Sequence, residues 1–197
     1  PDSLGVNYIM EAKIKKLAII GQGHIGSSIS RAVIERGIAN EVCVTDADPK
    51  VRKRLRELGL GIAKVVDSNV EAVRDADLII ACVPVGRYGD LAKEIAKQLK
   101  RGAILSDVGS VKESVIRDVQ PHLPPHVHFV PAHPLAGTER SGPDSGLADL
   151  FRKRWCILTP PKKTNAAAVE TTKEFWKALG SQVEVMSATH HDYVLAI

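Results

Sequence analysis

A doubly wound α/β fold on a mostly parallel sheet is predicted by two features of this 197-residue chain. Short β-branched runs alternate with segments of helical periodicity, the pattern of parallel strands joined by crossover helices. A glycine triplet, Gly21-x-Gly23-x-x-Gly26, falls between the first run and the first helical segment, where a strand-turn-helix unit of Rossmann type requires it. In chain order, Leu17–Ile20 reads as a fully buried strand, and a helix extends from about Ile25 to Arg36 until Gly37 stops it. Glu41–Asp46 is a second strand, after which Pro49 opens a helix, its ring already holding the helical φ. Ala63–Val66 is a weaker strand and Asp77–Val83 a stronger one, ended by Pro84. Leu91, Ile95 and Leu99 share one face of a helix over Leu91–Lys100 that Gly102 terminates. Ala103–Asp107 and Val127–Val130 are further strands. A long loop follows from His133 to about Asp149, and strands at Trp155–Thr159 and Gln182–Met186 flank a helix over Ala166–Leu179.

Composition narrows the partners. Aromatic residues make up 4% of the chain, too few for the stacking platforms of single-strand nucleic-acid binders. The net charge of +4 suits an anionic small molecule without arguing for nucleic acid. The basic run Lys50–Arg56 reads as a solvated helix face. Cys43, Cys82 and Cys156 each sit in an apolar run, far apart in sequence, which predicts buried, reduced thiols. His122, His126 and His128 lack an acid or cysteine to complete a ligand set, so no metal is expected. No apolar run approaches the roughly 18 residues of a membrane span, and the N-terminus lacks a signal-peptide layout. A cytoplasmic enzyme is expected. Residues 1–15 read as a tail, and the uncapped apolar run Tyr193–Ile197 reads as the first turns of a helix that continues further.

The glycine loop predicts a dinucleotide site. Gly21 permits the tight turn, Gly23 lets backbone approach a pyrophosphate, and Gly26 lets helix and strand pack closely. His24 and Ile25 complete the loop and open the helix, whose N-terminal N–H groups and dipole attract phosphate. Asp46 ends the second strand 20 residues after Gly26. There a carboxylate accepts hydrogen bonds from ribose hydroxyls and repels the 2′-phosphate of NADP. Asp48 adds to that repulsion and no Lys or Arg intervenes before Lys50, so NAD is the expected cofactor. The competing role for Asp46 is a helix N-cap before Pro49. Val83 and Pro84 are expected to wall the nicotinamide half, facing the same crevice as Gly109 and Ser110.

The chemistry is expected from two later segments, Asp107-Val108-Gly109-Ser110-Val111-Lys112 and His133-Pro134-Leu135-Ala136-Gly137-Thr138-Glu139-Arg140-Ser141-Gly142. Near pH 7 a neutral imidazole at His133 can take a proton from a substrate alcohol, and the Ser110 hydroxyl can hold it in register. With the glycine loop and His191-Asp192-Tyr193, these motifs resemble the prephenate/arogenate dehydrogenase family over essentially all of residues 16–197.

That resemblance implies a Rossmann-type domain over residues 16–187, followed by an all-helical dimerisation domain of which residues 188–197 are the first turns. It implies NAD-dependent oxidative decarboxylation of prephenate to 4-hydroxyphenylpyruvate, or of arogenate to tyrosine, by a homodimer acting on a small dicarboxylate. By the same resemblance His133 is catalytic, Ser110 stands between nicotinamide and substrate, and Thr138 and Glu139 line or gate the substrate pocket. The family's later Ser-His-Leu-Pro-His segment and further helices are not in this sequence, nor is the arginine that would hold the ring carboxylate. Two other readings compete. A 3-hydroxyacid dehydrogenase would leave His133–Gly142 unexplained, and a non-catalytic NAD-binding regulatory module would have no need of His133 and Ser110.

Overall fold

The computed structural model describes residues 14–61, 63–137 and 141–195. Its strands are β1 (Ile14–Ile20), β2 (Ala39–Thr45), β3 (Ala63–Val65), β4 (Leu78–Ala81), β5 (Ile104–Asp107), β6 (His128–Phe129), β7 (Ala132–Pro134), β8 (Trp155–Leu158) and β9 (Gln182–Val185). Its helices are α1 (His24–Arg36), α2 (Pro49–Leu58), α3 (Asn69–Val73), α4 (Tyr88–Ile95), α5 (Glu113–Val119), α6 (Ala166–Ala178) and α7 (Ala188–Leu195). Six parallel strands form the main sheet in the order β3-β2-β1-β4-β5-β6. The order reverses between β1 and β4, and at such a switch point the loops beyond the strand ends diverge and open a crevice.

Alternation along the strands builds a core on each face of this sheet. Leu17, Ile19, Val42, Val44, Leu78 and Ile80 meet α1, Leu55 of α2 and the aromatic side of α6. Ala18, Ile20, Cys43, Ile79, Ala81 and Leu105 meet α3, α4 and α5 on the other face. The doubly wound architecture expected from the sequence is therefore present. Among the described residues no helix is long and apolar enough to cross a membrane.

Four expectations need correction. Residues 14 and 15 are not tail: they open β1, with Ile14 buried and paired with Ala39. Residues Ala132–Pro134 are not loop but β7, antiparallel to β8, and with β9 they make a separate three-stranded sheet. Helix α4 starts at Tyr88, earlier than expected, and a 3-10 turn prolongs it to Gln98. Helices α3 and α5 were not foreseen; at 5 and 7 residues they fall below the length at which periodicity separates helix from strand.

Residues 143–147 are strapped onto the first two helices. His24 Nδ1 lies 2.9 Å from the Ser145 carbonyl, Ser28 Oγ accepts from Leu147 N at 2.9 Å, and Arg31 donates to the Pro143 carbonyl at 2.9 Å. Arg54 of α2 forks onto the Asp144 carboxylate at 2.6–3.1 Å. The basic run is thus partly engaged: Arg52 and Arg56 also share Asp67.

Candidate active site

The glycine loop joins β1 to α1 at the switch point, and steric crowding explains two of its three glycines. A Cβ on Gly21, at φ +89°, would stand 2.2 Å from the Cys82 carbonyl oxygen, and one on Gly26 would stand 1.9 Å from the Gly21 carbonyl oxygen. Gly23 differs: a Cβ there meets nothing within 4 Å. Its missing side chain keeps open the space in front of α1, whose N-terminus has no side-chain cap. Uncapped N–H groups facing open space are what a pyrophosphate requires, so these residues fit a dinucleotide. His24 and Ile25 form the first turn, with the His24 ring turned to Ser145.

Asp46 follows β2 directly. Its two carboxylate oxygens accept from Gln22 N at 2.7 Å and Asp48 N at 2.9 Å, which fixes the group against the glycine loop and leaves lone pairs for ribose hydroxyls. The N-cap of α2 is Asp48, accepting from Lys50 N at 2.8 Å, so Asp46 is not that cap. Arg52 reaches this turn but is turned inward, donating to the Asp46 and Ala47 carbonyls. Val83 and Pro84 line a cavity of about 360 Å³ with Ala47, Asn69, Arg87 and Leu91. Both residues stand just beyond the end of β4, beside the glycine loop.

At the far end of β5 the Asp107 carboxylate and the Lys112 ammonium form an ion pair, exposed by 1% and 0% respectively. Asp107 also accepts from Gly109 N at 2.8 Å and Ala132 N at 3.2 Å, while Lys112 Nζ donates to the Ala132 carbonyl at 2.6 Å. Burial pushes the carboxyl up and the ammonium down, each offset by the other's charge. Ser110 lies exposed on the turn between these two residues, its neighbour Gly109 pressed against Asp107 and Tyr88.

His133, next to Ala132 on β7, has Nδ1 2.9 Å from Nε2 of His191, and His191 Nδ1 is 2.7 Å from Asp192 Oδ1. The order of donors follows from the carboxylate, which only accepts. His191 Nδ1 therefore carries a proton, and in the tautomer whose Nε2 is bare His191 accepts from His133 Nδ1. The His133 Nε2 lone pair is left without a protein partner among the described residues. Burial, then the nearby Lys112 charge and His191, lower the His133 pKa to about 4 against a small opposing pull from Asp192. Asp192 itself is anchored by the N–H groups of Lys112 at 2.8 Å and Glu113 at 2.9 Å, which makes it the remote cap of α5.

The structure brings Lys112 up to His133 through the Ala132 carbonyl, whereas the sequence reading paired His133 with Ser110. Thr138 and Glu139 lie outside the described residues. His191 and Asp192 are the functional candidates that motif reading left without a role; their adjacency in the His-Asp-Tyr motif was the available signal. His122, His126 and His128 do not converge: His126 binds the Leu99 carbonyl, His122 borders α4 and α5, and His128 belongs to β6.

Residues 29–185 match the family described as prephenate dehydrogenase, nucleotide-binding domain. The chain is 46% identical over 183 residues to a cyclohexadienyl dehydrogenase of Zymomonas mobilis, covering 93% of this chain and 62% of that protein. It is 30% identical over 182 residues to a prephenate dehydrogenase of Bacillus subtilis, covering 92% of this chain and 49% of the relative. Among solved structures, a prephenate dehydrogenase from A. aeolicus in complex with hydroxyphenyl propionate and NAD+ superposes with TM-score 0.84 at 30% identity, covering 93% of this chain and 63% of that one. The chain therefore spans between half and two thirds of the length of these relatives.

Proposed function

This chain belongs to the prephenate dehydrogenase family through its nucleotide-binding domain, and from that premise we propose that it acts in the NAD-dependent oxidative decarboxylation of prephenate or arogenate. The observation that supports this most is the Asp192–His191–His133 chain, which presents a neutral imidazole with a free Nε2 lone pair. Bound NAD supplies the acceptor for the hydride that leaves the substrate carbinol. His133 Nε2 accepts the proton from that carbinol hydroxyl, and Ser110 positions the hydroxyl beside it. Thr138 and Glu139 are assigned to the substrate by the resemblance of their motif to the family. Gly21, Gly23, His24, Ile25, Gly26 and Asp46 hold the dinucleotide, with Val83 and Pro84 at its edge. The same reading, with all of β1 included, makes residues 14–187 the nucleotide-binding unit and α7 the start of a helical unit, in a cytoplasmic homodimer.

The test is spectrophotometric: NAD reduction with prephenate, with arogenate, and with a 3-hydroxyacid. Reduction with either cyclohexadienyl substrate is expected. Reduction with the 3-hydroxyacid alone would reassign the chain, and binding of NAD without turnover of any of the three would make it a regulatory module.

Two further results are expected. NAD should be preferred over NADP at least tenfold, about 1.4 kcal/mol, because the Asp46 carboxylate and Asp48 stand where a 2′-phosphate would sit. Asp46→Ala should weaken NAD binding and narrow the gap; equal affinities in the unaltered protein, measured by titration, would refute the assignment. The pH profile of kcat/KM should also carry the signature of His133. The imidazole must be neutral to act, and its lowered pKa keeps it neutral at all pH above about 4, so the acid limb should fall only as pH approaches that value. An acid limb centred at or above the ordinary histidine value of 6.5 would show that some other group governs it.

A further inference from the structure

A buried ion pair stabilises a fold no better than well-packed apolar side chains do, so the placement of Lys112 calls for another account. The ammonium and the backbone N–H of Lys112 bind Asp107, Ala132 and Asp192, which adjoin His133 or its His191 support. Ala132 sits opposite Leu158 on β7, and the flanking backbone bonds, Thr159 N to Pro131 O and Leu135 N to Trp155 O, place it at a position whose own N–H and C=O point away from β8. Those two groups would be orphaned inside the protein. Asp107 takes the N–H at 3.2 Å and Lys112 Nζ takes the C=O at 2.6 Å, so the ion pair stands where a neighbouring strand would. Meanwhile the backbone N–H of Lys112 holds Asp192 at 2.8 Å, and Asp192 holds His191 against His133.

We propose that Lys112 is a positioning residue for His133, clipping the strand that bears the imidazole on one side and its histidine–carboxylate support on the other. The proposal rests on the reading of His133 as the proton acceptor. It has an electrostatic corollary. Among the described residues, the titratable groups facing the imidazole are Lys112 from the β5–α5 turn, His191 and Asp192 from α7, and Cys156 from β8. The Cys156 thiol is pushed well up by burial and stays neutral. Of the lysine, histidine and carboxylate left, only Asp192 favours an imidazolium, and Lys112 is the positive charge that opposes it.

The experiment begins with the unaltered protein, whose turnover of prephenate or arogenate tests the functional reading separately. Lys112→Met alone strands the Asp107 charge, so the informative variant is Asp107→Asn with Lys112→Met, which removes both charges at similar volume. It is expected to bind NAD within about threefold of the unaltered protein, to lose about tenfold or more in kcat, as a displaced catalytic group does, and to shift the acid limb of kcat/KM to higher pH. An unmoved acid limb with kcat within about twofold would reduce the pair to a plain structural staple and overturn the proposal. Should the double variant fail to bind NAD, the His133 ring titration in the unaltered protein, followed by NMR, decides instead. A midpoint well below 6.5 is expected, and one at or above 6.5 overturns the proposal.

Discussion

Replacing His133 with asparagine should slow turnover about 100-fold to 10,000-fold, the usual range for losing a general base, while NAD affinity changes little. Asparagine can keep the hydrogen bond toward His191 but has no lone pair of comparable basicity at the Nε2 position. The glycine loop is built from β1, α1 and β4 and owes nothing to β7. Rate and affinity should therefore separate cleanly: kcat collapses, and a dinucleotide titration of the variant overlays that of the unaltered protein. Retention of more than about a tenth of the activity would mean that the proton leaves by another route.

The second large effect is expected at Gly26. An alanine there puts Cβ 1.9 Å from the Gly21 carbonyl oxygen and 3.3 Å from Cys82 Cβ. The first obstacle is backbone, so α1 must move off β1. Overpacking of this kind costs about 1–3 kcal/mol of stability, and the displaced helix N-terminus should weaken NAD binding about 100-fold or more, roughly 2.7 kcal/mol. Gly23→Ala is the matched control. With nothing within 4 Å of its Cβ, that variant should unfold at the same denaturant midpoint as the unaltered protein yet bind NAD poorly, because the methyl group occupies space the ligand needs. If Gly26→Ala left both midpoint and affinity intact, the crowding argument would be wrong.

The sheet and the glycine loop were legible because their signals are local. Leu17–Ile20 and Leu78–Val83 are apolar without interruption, as strands covered on both faces must be, and Gly26 follows the first of them at fixed spacing. The dyad behind His133 was not legible for the opposite reason. His191 is 58 residues from His133, and Asp192 is 80 residues from the N–H of Lys112 that it accepts; nothing in the local pattern of α7 separates a buried relay histidine from its exposed neighbour His190. Helix α5 was missed by the same physics, since its cap comes from α7 rather than from a preceding Ser, Thr, Asp or Asn. Lys112 shows the limit of composition-based reasoning. Lysines are among the residues most rarely buried, and only the convergence of Asp107 and Ala132 on its ammonium explains its full burial here.

The strap over α1 and α2 bears on how separable the parts of this chain are. His24, Ser28, Arg31 and Arg54 lie on the nucleotide-binding helices, yet each holds backbone or carboxylate of residues 143–147. Gly146 leaves no room for a side chain, since its Cβ would stand 2.8 Å from the Ser27 carbonyl. The segment downstream of His133 is therefore not a cassette. A chimera that imported this stretch from a relative, to change which acid is oxidised, would inherit mismatched anchors unless those four residues and the glycine travelled with it. The conformation of residues 143–147 is written partly into α1 and α2.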